Sequence, residues 1–554
     1  MIKVLDNAFY YLDNFHQVLT WLGDRYDDLL TTEERDFITA FPSLPQPSRA
    51  LLVRMVMRKG TLFRASKLTY AEIGSTHEAA RPLASLGLIE EDPQLDLDQL
   101  FDLLQKPEIG KIFQLTPHVR QLRKADQLEA LREQYDGQHR FSNWFEGSGD
   151  HAYSNLTQQL CDRLRLIFFG NYHQDWTEFV LSDLGIYQYE KVPFSAAARA
   201  FRSRRDIDDF LAMYHCHERF NDGEDPATVI RDLPPCSEDN EWLRSRRDKL
   251  TFTIGHHLER QADWKAAHAL YVSCNYPGAR ARAIRVLEKD EQPREAFDLL
   301  QIAMQQPESE AERQQLLRMA PRLARKLGHA KQPRATLAQA LRIDLSLPPP
   351  PQPSYVEFVV RDHLTRDDAP VYYVENSLIN SLFGLLCWDA VFCPIPGAFF
   401  HPYHRGPADL HSADFQRRRA LQFAACLGQL DGDGDGDGDG DNYRATILAN
   451  YAAKRGIQSP FVHWEALDED LIALALDCIP ALHLRRSFER ILANIKANRT
   501  GFPDLIQFWP AERRYNMIEV KGPGDRLQDN QLRWIEYCAT HQMPISVCYL
   551  QWAA

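Results

Sequence analysis

Four consecutive prolines, Pro348 to Pro351, followed by Gln352 and Pro353, interrupt this chain of 554 residues. Proline fixes φ and carries no N–H, so such a run excludes helix and favours extended polyproline geometry. It separates a long part that reads as helical from a C-terminal part of mixed character. The sequence predicts that the C-terminal domain, residues 356–554, starts just after it. A chain of this length exceeds one hydrophobic core, and two to four domains are expected.

The first part subdivides. Residues 1–45 read as a helical segment ending at the proline-rich Phe41-Pro42-Ser43-Leu44-Pro45-Gln46-Pro47. Residues 46–240 read as short helices and turns, with a small winged-helix pattern around Tyr70–Gly74 and Leu86–Ile89. Three basic clusters fall here: Arg54, Arg58, Lys59, Arg64 and Lys67; Arg120, Arg123 and Lys124; Arg199, Arg202, Arg204 and Arg205. Cations gathered on one face of a stable element are what phosphate contacts require. An isolated cluster is as readily a solvated helix face. Residues 241–345 are rich in Ala, Leu and Arg. The segments Ala262–Tyr271 and Glu295–Leu300 sit about one helical-pair period apart, which predicts two or three TPR-like units.

Charged residues make up 25% and hydrophobic ones 44%, with a net charge of −13. This is the profile of a globular chain, with no apolar run long enough to span a bilayer. Charge enters too early at the N-terminus for a signal peptide. The ten cysteines form no CxxC pair, so a reducing cytoplasm, near the nucleoid, is the expected compartment. The acidic balance does not exclude DNA, because local basic surface decides phosphate affinity. Six aspartates of the alternating Asp-Gly tract 431–441 account for part of it. That tract has neither the Glu-terminated twelve-residue pattern nor the nine-residue period of calcium loops and predicts a solvated loop.

The chemistry concentrates near the end. Glu375–Phe392, Asn442–Arg455, Ala481–Asn498 and Gln528–His541 read as helices. Asp504–Phe508, Tyr515–Lys521 and Pro544–Leu550 read as strands. The order implies an α/β core with a small sheet. On a strand, residues i and i+2 share a face. Glu519 and Lys521 therefore point together, while Val520 points into the core. With Asp504 after Pro503 they supply two hard carboxylates and one ammonium beside a sheet, the equipment for divalent-metal phosphodiester hydrolysis.

The ordered run Asn498–Leu505, Glu519–Leu527 and Gln531–Ile535 resembles the VRR-NUC class of PD-(D/E)xK nucleases. Val374–Asn380, Cys387-Trp388-Asp389, Pro396–Phe399 and Pro407–Leu410 are similar to the Fanconi-associated nuclease family, and Leu184–Asp206 is similar to its SAP-containing region. The resemblance implies a mainly α N-terminal half, winged-helix and SAP-like followed by TPR-like repeats, then a C-terminal α/β nuclease domain with a small mixed sheet. It implies a structure-selective 5′-flap endonuclease with 5′→3′ exonuclease activity in interstrand crosslink repair. It also implies branched DNA as partner, no membrane, and Mg²⁺ or Mn²⁺, two ions, as cofactor. On this reading Glu375, Asp504, Glu519 and the Val520 carbonyl hold metal, and Lys521 orients water or relieves charge. Gln531 holds the lysine or the water in place. Arg499 and Arg526 position phosphate. A monomer is expected. A non-catalytic branched-DNA scaffold and a junction-type endonuclease are the alternatives. His401, His404 and His411 with Cys387 and Cys393 match no zinc spacing.

Overall fold

The computed structural model describes residues 7–195, 198–235, 240–329, 340–431 and 442–553. The Asp-Gly tract beyond Asp431 lies outside the described residues. The chain resolves into two units, one of residues 1–188 and 195–204, the other of residues 189–194 and 205–554.

The first unit opens with α1 (Tyr10–Tyr26), α2 (Thr32–Ala40) and α3 (Gln46–Val56). Thr31 and Glu34 form a reciprocal capping box at the start of α2, satisfying N–H groups the helix cannot. The ring of Phe15 on α1 packs on Phe41 at 5.1 Å. α1 also packs on α3. The segment expected to end near residue 45 therefore does not stand alone, and Pro47 serves as the first turn of α3. Next come β1 (Leu62–Arg64), α4 (Thr76–Ser85), β2 (Ile89–Glu91), α5 (Leu97–Leu103), α6 (Lys124–Arg132), β3 (Ala152–Asn155) and α7 (Gln158–Phe169). The three strands form an antiparallel sheet with β3 in the middle. The strand that closes the winged unit is therefore supplied from about sixty residues further along.

In the second unit, α8 (Glu241–Arg260), α9 (Trp264–Ser273), α10 (Ala279–Lys289), α11 (Pro293–Gln305) and α12 (Glu310–Lys326) form the expected helical array. Gly255 on α8 faces Tyr271 of α9, where a Cβ would come within 3.2 Å of the ring. The array belongs to the same unit as the C-terminal domain, so no break falls at residue 240.

The C-terminal layer comprises β4 (Leu341–Leu347), α13 (Val356–Leu364), β5 (Val371–Tyr373), α14 (Leu378–Leu386), α15 (Ala481–Ala493), β6 (Leu505–Trp509), β7 (Arg514–Lys521), α16 (Asp529–Thr540) and β8 (Ile545–Trp552). The sheet order is β4-β8-β7-β6-β5. β4, β8 and β7 are parallel, while β6 and β5 are antiparallel to their neighbours. One face packs Ile518 and Val520 against Val360 of α13; the other packs Tyr515, Met517, Ile506 and Phe508 with Trp534 of α16 and Phe488 of α15.

The expected domain start at residue 356 is therefore too late. β4 precedes the prolines and pairs with β8 from Leu341 opposite Ser546 to Leu347 opposite Trp552. As an edge strand it keeps only one partner and is largely exposed, so it lacks the apolar run of a buried strand. The prolines are a connection inside the domain. Likewise Glu375 does not start a helix. It sits in a turn between β5 and α14, followed by Asn376 at φ +50°.

Candidate nuclease centre

Continuing the β6–β7 register by one step from Leu505 opposite Ile518 sets Asp504 opposite Glu519. By strand alternation Asp504, Glu519 and Lys521 lie on the α16 face of the sheet. The approach to Asp504 is fixed by Gly501 at φ +91°, where a Cβ would stand 2.8 Å from the backbone of Asn530 at the start of α16. Phe502 then packs on Trp534 with ring centroids 3.9 Å apart, and Trp534 Nε1 donates to the Asn498 carbonyl at 3.1 Å. The strand end that carries Asp504 is thus clamped to α16 from both sides.

All three side chains are buried, Glu519 to 1% exposure. The Val520 N–H donates to Asp504 Oδ2 at 2.8 Å, and the Asp504 carbonyl accepts from Val374 N–H at 2.8 Å. Lys521 Nζ lies 2.6 Å from Glu519 Oε1. That contact is an ion pair off hydrogen-bond alignment, since Oε1 has no aligned donor although it is buried. Burial pushes Asp504 up to about 6; the Val520 N–H and Lys521 oppose this, while the charges of Glu375 and Glu357 add to it. Burial pushes Glu519 up to about 8, reinforced by the neighbouring Asp504 and opposed by Lys521. One ammonium does not balance two buried carboxylates, and a hard divalent cation would. The donor chemistry fits such an ion: Asp504 and Glu519 are hard oxygen donors at facing strand positions, with a single ammonium, Lys521, beside them.

Glu375 stands apart. It is exposed, and its carboxylate accepts from the Tyr373 hydroxyl at 2.6 Å and from Asn376 Nδ2 at 3.2 Å. Among the described residues no three His, Cys, Asp or Glu side chains converge as a metal cluster. Glu375 reaches Asp504 through charge, not contact. Gln531 is occupied at the start of α16, where its Oε1 accepts from Gln528 N–H at 2.8 Å in a capping box. Asp525 accepts from Gly522 N–H at 3.0 Å. Arg499 is half-buried and its charge holds His411 and His463 below the ordinary imidazole range, after burial. Arg526 is exposed. His404 is pushed down to about 4 by burial and stacks on His401 at 3.9 Å, a packed pair of rings.

The basic clusters divide by what they touch. Arg54 pairs with Glu72 at 2.6 Å and lies over Tyr11. Arg64 is buried between Glu108 and Asp150, both at 2.7 Å. Arg199 pairs with Asp28 at 2.8 Å and Arg204 with Glu34 at 2.7 Å. All four are held in ion pairs within the first unit, Arg64 buried and the other three partly exposed. Arg58 gives one N–H to the Lys67 carbonyl, Arg120 one to the Leu115 carbonyl, and Arg205 lies 3.7 Å from Asp209. Lys59, Lys67, Arg123 and Arg202 are exposed; Lys124 is half-buried at the first position of α6. What the cluster pattern missed was the acidic partner of Arg54, Arg64, Arg199 and Arg204, carried 18 to 171 residues away.

A mixed sheet with an aspartate at the end of one strand, Glu-x-Lys on the next and a helix behind them defines a metal-dependent DNA hydrolase of the PD-(D/E)xK kind. The VRR-NUC domain model matches residues 440–552, the FAN1 HTH domain model residues 9–90, and the Fanconi anemia-associated nuclease SAP domain model residues 94–144. The SAP match corrects the expected position at Leu184–Asp206. The chain is 53% identical over 548 residues to the Fanconi-associated nuclease 1 homolog of Pseudomonas aeruginosa, covering 99% of this chain and 97% of that one. It is 24% identical to the homolog of Arabidopsis thaliana, spanning 66% of that protein's length. The crystal structure of paFAN1 bound to a 2-nucleotide 5′-flap DNA with a gap superposes with TM-score 0.95 at 53% identity over 100% of both chains. The chain belongs to the Fanconi-associated nuclease family.

Proposed function

We propose that this nuclease cuts branched DNA at 5′ flaps, with 5′→3′ exonuclease activity on the same strand, in interstrand crosslink repair. The observation that carries this is the buried Asp504–Glu519–Lys521 group on a chain whose close relative was crystallised with 5′-flap DNA. Asp504, Glu519 and the Val520 carbonyl hold the metal, with Glu375 turning in from Tyr373 to complete a second position. The cofactor is Mg²⁺ or Mn²⁺, as two ions, because these cations take oxygen donors of this kind. When bound, the metal supplies Lewis-acid relief of charge on the phosphoryl oxygens. Lys521, fixed beside Glu519, places an ammonium where negative charge develops at the scissile phosphate. Arg499 and Arg526, with the exposed Arg58, Lys59, Lys67, Arg123, Lys124 and Arg202, contact phosphates along the arms. The enzyme acts as a monomer, in the cytoplasm beside the nucleoid.

A labelled 5′-flap substrate, compared with nicked, junction and linear duplexes, tests the reading in Mg²⁺ and Mn²⁺. Flap cleavage should exceed the others, and Lys521→Ala should lower it by about 10² to 10³-fold. Equal cleavage of all substrates, or full activity in the variant, would overturn it.

A further inference from the structure

Three aromatic side chains make a continuous row on the α13 side of the sheet, near the strand end that carries Asp504. Tyr355 precedes the first residue of α13 and is 74% exposed. Its ring meets Phe358 edge-on with centroids 5.8 Å apart. Phe358 meets Tyr373 of β5 edge-on at 5.3 Å. The Tyr373 hydroxyl then donates to Glu375. At the other end, Val356 lies against Gly522, where a Cβ would come within 3.2 Å of its methyl group. The row therefore runs from Tyr355, whose chain neighbour Val356 meets Gly522, to Tyr373 and its partner Glu375, whose charge reaches Asp504.

The charges around this row decide what it can take. Glu357 lies between Tyr355 and Phe358 in sequence, and its charge reaches Asp504. Glu375 is at the far end. Arg361 lies over Phe358 at 4.9 Å but is paired with Asp362 at 2.7 Å. The row offers a phosphate no uncompensated cation. It offers π-faces and ring edges, which is what a nucleobase out of its stack requires. A paired base, stacked above and below, has no free face to give.

We propose that Tyr355, backed by Phe358, is a stacking step for an unpaired nucleobase of the strand being cut, beside the scissile phosphate. Tyr355 is a positioning residue on this account. It holds the strand and leaves the bond-breaking to the Asp504 group. The inference rests on the flap reading for the origin of the unpaired base. It adds a reason for the preference: a strand that supplies a free base at the cut gains a contact that a closed duplex does not.

The test places 2-aminopurine at each of the positions flanking the cut in a 5′-flap DNA. Fluorescence is read on binding to the full chain in EDTA, where no cutting occurs. Cleavage of the same DNA is then followed in Mg²⁺. One position should be quenched by the wild-type protein. Tyr355→Ala should lose that quenching and lower flap cleavage at sub-saturating DNA by about tenfold. Tyr355→Trp should restore both. Tyr355 is exposed, so the variant should melt with the wild type, and Phe358→Ala gives a second, more buried probe. Quenching and cleavage unchanged in Tyr355→Ala would overturn the stacking step and leave the flap assignment standing. A quenched flap that is never cut would overturn the flap assignment and leave the stacking step standing.

Discussion

Acidic–basic groups in the first unit and at the sheet end of the second are built on opposite terms. In the first unit, Arg64 meets both Glu108 and Asp150, and Arg163 and Arg204 both converge on the buried Glu34. There the carboxylates fall below their ordinary range: burial raises them, but the Thr31 N–H at Glu34, the Ser66 hydroxyl and N–H at Asp150 and the guanidinium partners together outweigh it. At the sheet end of the second unit, Asp504 and Glu519 share one ammonium, and burial wins, so both rise. The first arrangement satisfies itself. The second is left in deficit, and the deficit is what attracts a cation. Charge that is complete builds structure, and charge that is incomplete does chemistry.

The strongest way to break this contrast is at the deficit. Asp504→Ala should abolish metal-dependent cleavage, a loss on the order of 10³-fold or more, while flap affinity by anisotropy stays near the wild-type value. A variant that still cuts would move the metal elsewhere. Next in size is the self-satisfied side. Arg64→Ala strands two carboxylates and should cost about 3 kcal/mol of stability in urea unfolding. An unchanged midpoint would show that Arg64 is held out for a ligand and is not part of the frame.

The same contrast has a pH signature in metal-free protein. Asp504 and Glu519 are raised when folded, so the folded state keeps protons that the unfolded chain releases. Stability is then highest below the ordinary carboxyl range and falls as pH rises toward about 6 for Asp504 and about 8 for Glu519. Melting of the metal-free protein should drop across this window, and Mn²⁺ should recover more at pH 8 than at pH 6. Glu519→Gln should flatten the upper part; an unaltered slope would assign the effect to other groups. The smallest effect is expected at Lys59, which is exposed. Lys59→Ala should leave stability within about 0.5 kcal/mol and reduce the salt slope of DNA binding by about 1. An unchanged slope would remove Lys59 from the DNA interface.

The nuclease centre was largely legible because its signal is local: Glu519-x-Lys521 at strand spacing, Asp504 after Pro503, and the register that brings them together follow from short stretches of sequence. Glu375 reads as a helix start in the sequence but sits in a turn, because Asn376 in a left-handed conformation delays the helix to Leu378. Gln531 was read for its proximity, while its side chain went to the nearest orphan N–H of its own helix. The basic clusters misled at Arg54, Arg64, Arg199 and Arg204 because what decides a cation's role is the acid it meets. Those acids come from other elements. β4 escaped for the same reason in another form. Its partner, β8, lies about two hundred residues away, and although Leu341–Leu347 alternates apolar with polar residues, only three of the seven are even half-buried.

The place of β8 between β4 and β7 has a consequence for how the enzyme is made. Neither neighbour can be zipped to it until residues 545–552 have been synthesised, although both emerge earlier. A polypeptide ending between Lys521 and Ile545 holds Asp504 opposite Glu519 through the β6–β7 pair but has no strand on the other side of β7. The five-stranded sheet that supports the centre is therefore completed only when β8 pairs with β4 and β7.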